Sequence, residues 1–201
     1  MHRVFISYHH GNDQWYKDEL VRWGVANDIF EDWSVNTGDI SDELSDEEIR
    51  EIIRDEYLRS SSVTILLVGT ETRFRKHVDW EIYSSMYDGK INKKSGIIVV
   101  LLPSVKSSYF TCGYNNEKTT IYPDQDSWMT ITDRSEYERR YPYLPPRIID
   151  NLLNPAANIS VINWEKLTVD GLRLMIENAF ENRANQDYDL ARPMRRRNYN
   201  Q

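Results

Sequence analysis

Short apolar runs alternate along this chain with stretches in which apolar residues recur at helical spacing. Arg3 to Tyr8 (RVFISY) is apolar and β-branched and reads as a first strand, with Ile29 to Trp33 a short second one. Val63 to Gly69 (VTILLVG) and Ile97 to Leu102 (IIVVLL) carry almost no polar side chains, the pattern of strands covered on both faces of a parallel sheet. Ile159 to Asn163 is the last strand. Between these runs, Gln14 to Ala26 reads as a helix of imperfect periodicity, with Trp15, Leu20, Trp23 and Val25 as its apolar surface. Ser45-Asp46-Glu47-Glu48 is a capping box that opens a second helix with Ile49, Ile52, Ile53 and Tyr57 on one face. Phe74, Val78, Ile82 and Met86 mark a third, and Leu172, Met175, Ile176, Ala179 and Phe180 give the cleanest stripe, a C-terminal helix. This alternation predicts an α/β fold: a five-stranded parallel sheet in the flavodoxin-like order 2-1-3-4-5, flanked by helices on both faces.

The pattern breaks in three places. Ser34 to Leu44 is a polar loop with a turn signal at Asn36-Thr37-Gly38-Asp39. The stretch 104–146 is polar and aromatic, carries Pro123, Pro142, Pro145 and Pro146, and reads as an irregular insertion before the last strand. A small helix is expected within it, after a second capping box at Ser135-Glu136-Tyr137-Glu138. From about Asn185 the chain reads as a flexible tail ending in Arg195-Arg196-Arg197, so a single domain over 1–184 is expected, followed by a tail over 185–201.

Composition narrows the function classes. With 201 residues, 40% of them hydrophobic, and six Trp and thirteen Tyr, the chain can build a substantial core. A net charge of −7 argues against binding to nucleic acid or an anionic membrane surface, both of which need a basic footprint. No apolar run approaches the ~20 residues of a membrane helix. The strand-like run at the N-terminus leaves no visible signal peptide. Cys112 is the only cysteine, which excludes an internal disulfide and multi-thiolate zinc sites and fits a reducing, cytoplasmic setting. His9 and His10 are adjacent on an extended segment, point to opposite faces and make poor joint metal ligands, so no metal is expected.

In a sheet of this order, ligands bind beyond the carboxyl ends of the strands, at the switch between strands one and three. Strand one ends at Ser7-Tyr8-His9-His10, strand two at Asp32-Trp33 and strand three at Gly69-Thr70. Glu81 lies two turns into the third helix, roughly 10 Å along its axis, on the border of the apolar stripe. Its carboxylate could therefore face the cleft. Trp33 and Trp80 could wall that cleft, and Ser7 and Thr70 could offer hydroxyls, with Phe5, Tyr8, His9 and Asp32 completing the candidate substrate-binding set. Each has an ordinary alternative: a solvated helix glutamate for Glu81, packing for the tryptophans, a backbone hydrogen bond for Ser7.

Val4-Phe5-Ile6-Ser7-Tyr8, Ile29-Phe30-Glu31-Asp32-Trp33, Val63 to Thr72 (VTILLVGTET) and Val78-Asp79-Trp80-Glu81-Ile82, in this order and spacing, resemble the TIR-like family that includes ThsB, the sensor protein of the bacterial Thoeris antiphage system. The likeness covers roughly the first hundred residues plus the final strand and helix, and none of 104–146. The resemblance implies an enzyme that cleaves the nicotinamide–ribose bond of NAD, with NAD as substrate and no further cofactor. It implies a cyclic ADP-ribose isomer made when infection is sensed, a phage-derived trigger, and a downstream effector reached through that diffusible nucleotide. It places the catalytic glutamate at Glu81.

That chemistry suits a lone carboxylate. Nicotinamide leaves as a neutral molecule, so no general acid is required, and the oxocarbenium-like ribose left behind is stabilised by a nearby negative charge. A non-enzymatic interaction module is the competing reading, with the 104–146 insertion as its docking surface. A phosphoacceptor receiver is disfavoured because strand three ends without an aspartate. A dinucleotide-binding oxidoreductase is disfavoured because Tyr8-His9-His10-Gly11-Asn12 lacks the repeated glycines of a pyrophosphate turn.

Overall fold

Five strands, β1 (His2–Ser7), β2 (Phe30–Asp32), β3 (Val63–Val68), β4 (Gly96–Leu101) and β5 (Ser160–Asn163), pair in parallel in the order β2-β1-β3-β4-β5, as the alternation predicts. Seven α-helices are found among the described residues: α1 (His10–Ala26), α2 (Asp46–Ile52), α3 (Lys76–Met86), α4 (Asn115–Ile121), α5 (Arg134–Arg140), α6 (Pro146–Leu153) and α7 (Val169–Asn182). The structure, a computed structural model, describes residues 1–34, 41, 43–89 and 92–198. The turn expected at Asn36-Thr37-Gly38-Asp39 lies outside them.

Alternating side chains of the central strands feed two cores. Ile65, Leu67, Ile98 and Val100 meet Leu20 of α1 and Leu172, Met175 and Ile176 of α7 on one face. Leu66, Val68, Val99 and Leu101 meet Val78 and Ile82 of α3 and Ile148 and Ile149 of α6 on the other. Further along that second face, Phe5 packs with Ile49, Ile53, Leu58, Trp80 and Met194. Full burial of each such side chain stabilises the fold by about 1.5–3 kcal/mol.

Several elements differ from the sequence reading. Helix α1 starts at His10 rather than Gln14, because the His9 carbonyl accepts from the N–H groups of Asn12 at 3.2 Å and Asp13 at 2.9 Å. The weak helix formers His10, Gly11 and Asn12 hide that start. The Ser45 capping box forms as expected. The helix then passes into a π-helical turn, Ile53–Tyr57, in which the Leu58 N–H reaches the Ile53 carbonyl at 2.7 Å. The extra residue puts Ile53 and Leu58 both in the core and leaves Tyr57 half-buried.

The 104–146 stretch holds more regular structure than its composition suggests. Its second expected capping box does not form. Asp133 caps α5 by accepting from the Glu136 N–H at 3.1 Å, while Glu136 turns to Arg139 and Arg140. Pro146, which reads as a breaker, is the first residue of α6, where proline's missing N–H costs nothing.

The segment from Gln186 to Asn198, expected to be loose, is instead a strap packed along α3 and α6. Tyr188 and Met194 are buried in it. Arg147 of α6, wholly buried, donates to the Arg192 carbonyl at 2.8 Å and the Pro193 carbonyl at 3.1 Å. The same guanidinium makes a two-pronged pair with Asp79 at 3.0 and 3.1 Å, and Asp79 also accepts from the Arg195 N–H at 2.8 Å. A polar, arginine-rich sequence conceals this because the partners of Arg147 in the strap are backbone carbonyls.

Candidate active site

Helix α3 packs against β1 and β3, and small side chains on it meet β3. Ser84 and Ser85 are fully buried, and the Ser85 hydroxyl lies 2.8 Å from the Thr64 hydroxyl on β3. One turn earlier on α3, Glu81 is only 2% exposed, and one of its oxygens accepts from the Ser7 Oγ at 2.6 Å. Ser7 is the last residue of β1 and is itself fully buried. Glu81 and Ser7, each a candidate from the sequence, thus lie side by side at the switch between β1 and β3. Burying a carboxylate is unfavourable without facing donors, so a short hydroxyl bond here defines where its charge is directed.

Facing the turn after β3 is a second buried carboxylate that the sequence reading missed. Asp13, in the first turn of α1, is 5% exposed and accepts from the Thr72 Oγ1 at 3.4 Å. The same Thr72 oxygen accepts the Gly69 N–H at 2.8 Å. A Cβ on Gly69 would lie 2.6 Å from an Asp13 carboxylate oxygen, so only glycine admits this approach. Burial pushes the Asp13 pKa up to about 6, opposed by the Thr72 hydrogen bond. Thr70, expected to offer a hydroxyl to the cleft, is half-buried, while the fully buried Thr72 hydroxyl serves the Gly69 N–H and Asp13.

The remaining candidates divide. Tyr8 is buried, stacks on His10 with centroids 4.3 Å apart and donates to Gln14 Oε1 at 2.6 Å. Its pKa is raised by burial and also by the negative charges of Asp18, Glu81 and Asp32, which oppose the Gln14 bond. Its phenol therefore sits within the field of the site. His9 is the N-cap residue of α1, and its pKa is lowered by burial first and then by the charge of Arg75, against the opposing charge of Glu71. Asp32 pairs with Lys17 at 2.9 Å and accepts from the Ser34 N–H at 2.9 Å and Oγ at 2.5 Å, and the Ser34 Oγ accepts the Ile6 N–H at 2.9 Å. This network ties the ends of β1 and β2 together.

Three aromatic assignments are corrected by the geometry. Phe5 is buried beneath the site, packed on Trp80. Trp80 is fully buried and donates its indole N–H to the Arg195 carbonyl at 2.7 Å, so it anchors α3 instead of walling a cleft. Trp33 is 38% exposed, with the Arg3 guanidinium 4.4 Å over its ring. Arg3 is four residues, roughly 13 Å, down the strand from Ser7. The indole N–H also donates to Glu31 at 3.2 Å, so the partners of Trp33 in this structure are Arg3 and Glu31.

A cavity of about 740 Å³ lies elsewhere, between the insertion and the β5 edge, lined among others by Tyr109, Phe110, Lys118, Trp128 and Arg140. It contains neither Glu81 nor Ser7. Volume alone favours that cavity. The buried carboxylate at the strand switch favours the β1 site for chemistry, because ligands of such sheets bind there. Among the described residues there is no His, Cys, Asp and Glu cluster able to hold a metal ion, and no helix is long and apolar enough to cross a membrane.

A family model described as the Thoeris protein ThsB, TIR-like domain, matches residues 5–107. That span runs from β1 through β4 and contains Ser7, Asp13, Asp32, Thr72 and Glu81. No curated protein matches the chain.

Proposed function

Because this chain belongs to the family of the TIR-like domain of the Thoeris antiphage protein ThsB, we propose that it cleaves the nicotinamide–ribose bond of NAD with Glu81 as the catalytic carboxylate. The observation that carries this reading is the buried Glu81 carboxylate, bonded at 2.6 Å to Ser7 at the carboxyl end of β1.

In this reading the ribose of NAD lies over the end of β1, with its hydroxyls exchanging hydrogen bonds with Glu81 and Ser7. The glycosidic C–N bond breaks, its electron pair leaves with neutral nicotinamide, and the cationic sugar is stabilised by the carboxylate. A nucleophilic atom of the adenosine half of the same molecule attacks the sugar carbon and gives up its proton, closing a cyclic ADP-ribose isomer. Exclusion of water favours this closure over hydrolysis, and the low exposure of Glu81 and Ser7 fits such a dry site. A phage-derived trigger would start turnover, and the product would activate a partner effector of the same defence system.

The test is mass spectrometry of small molecules from cells expressing the protein, with and without phage, beside nicotinamide release by the purified chain. Glu81→Gln is expected to lower turnover about a thousandfold, the scale of losing a dominant electrostatic contact, with an unchanged circular dichroism spectrum. Turnover retained in that variant removes the assignment. The competing reading, a non-enzymatic interaction module, draws on the same 2% exposure of Glu81. It would be favoured if phage resistance survives Glu81→Gln.

A further inference from the structure

The geometry points to a second ligand site, independent of the Glu81 chemistry: the cavity between the insertion and the β5 edge binds a small aromatic anion of mononucleotide size. Three features of the cavity carry this.

The first is size and place. About 740 Å³ is the volume of a small-molecule pocket. It lies at the β5 edge, three strand spacings or roughly 14 Å across the sheet from β1.

The second is charge. The chain as a whole carries −7. Yet the described residues lining this cavity include Lys118 and Arg140 and no Asp or Glu. Lys118 donates to a neutral acceptor, Asn115 Oδ1, at 3.1 Å. Arg140 is fixed by Glu136 through its Nε at 2.6 Å, whereas its Nη2 reaches the Met129 sulfur, a weak acceptor, at 3.2 Å. Both cations therefore hold donors that an anion would satisfy better than the present partners do.

The third is aromatic surface. Trp128 stands at the mouth, 37% exposed, edge-on to Phe110 with centroids 5.7 Å apart and with the Lys118 ammonium 5.2 Å from its ring. Across the cavity, Arg140 lies 5.0 Å over Tyr109. A flat ring entering here meets the part-exposed Trp128 indole, and a phosphate attached to it is within the reach of Lys118 or Arg140. Such pairing of stacking surface with cation suits a nucleotide. Cys112 also lines the cavity, but burial pushes its pKa up to about 12, so it stays a thiol and the site is one of binding, not of covalent capture.

The experiment titrates the purified full chain with AMP, adenosine and inorganic phosphate, reading tryptophan fluorescence and calorimetric heat. AMP is expected to bind saturably and quench fluorescence, with adenosine and phosphate each weaker by at least about tenfold. Trp128→Leu should abolish the quench and weaken AMP about tenfold, and Lys118→Gln should weaken AMP and flatten its salt dependence. Both positions are at the mouth of the cavity, and unchanged melting curves would verify folding. Glu81→Gln should leave AMP binding as it is. The proposal is overturned if AMP shows no saturable binding at millimolar concentration. Adenosine binding as tightly as AMP overturns it as well. So does AMP binding that is lost in Glu81→Gln while surviving Trp128→Leu and Lys118→Gln, which would place the ligand at β1 instead.

Discussion

A carboxylate removed from water depends on the few groups that face it, and two such residues stand at the end of β1 and β3. Glu81 has the Ser7 hydroxyl, and Asp13 has the longer Thr72 contact at 3.4 Å. Burial raises the Asp13 pKa from the ordinary 3.8 to about 6. A folded-state pKa above the unfolded one means that the folded protein binds this proton more tightly. The associated stability is fully present below about pH 4 and is lost as pH rises through about 6. At neutral pH the ionised Asp13 is thus a cost. Asp13→Asn keeps the shape and removes the charge, so it should raise Tm at pH 7 by about 2–4 °C and give no gain at pH 4. Melts between pH 4 and 8 check this, and an unchanged Tm at pH 7 contradicts it. At this scale the sequence is partly legible. Glu81 is readable because a polar residue beside Val78 and Ile82 borders a buried face. Asp13 is hidden because the helix that aims it starts earlier than its periodicity shows. Trp33 and Trp80 mislead because an aromatic side chain looks the same in sequence whether it meets a ligand, a guanidinium or a core.

At the scale of elements, α3 is held from two sides. Its inner face rests on β1 and β3, and its outer face is gripped by the strap through Asp79, Trp80 and the Lys76 N–H, which donates to Asn198 at 2.9 Å. The buried Arg147–Asp79 pair is the knot of that grip. Arg147→Met would strip Asp79 of its cation while leaving it 8% exposed. A loss of about 3–5 kcal/mol is expected, the usual result of breaking a buried pair from one side. The double change Arg147→Met with Asp79→Leu should recover much of it, because no lone charge is left. Urea unfolding of both variants is the measurement, and a double variant no better than the single would refute the pairing account. Neither the strap nor α6 was legible. Prolines and arginines mark solvated loops by composition, and here one proline starts a helix while one arginine is satisfied by carbonyls over forty residues away in the chain.

For the whole molecule, the order of strands follows from the alternation of apolar runs and helical stripes, and the structure agrees. The close seat of α7 on β4 is less visible in sequence. A Cβ on Gly96 would sit 2.2 Å from the Ala179 carbonyl oxygen and 2.8 Å from its Cβ. Gly96→Ala should therefore force the helix outward and destabilise the fold by about 1–3 kcal/mol, as overpacking does. Its Tm matching that of the parent would mean that α7 shifts freely. The insertion also has an effect on the sheet itself. Thr111 lies antiparallel to Val161, the two exchanging N–H···O bonds of 2.9 and 2.7 Å. That bridge occupies backbone groups that would otherwise template another strand. Copies of this protein that came together side by side along β5 would first have to prise this bridge open, which leaves β2 as the uncovered edge of the sheet among the described residues.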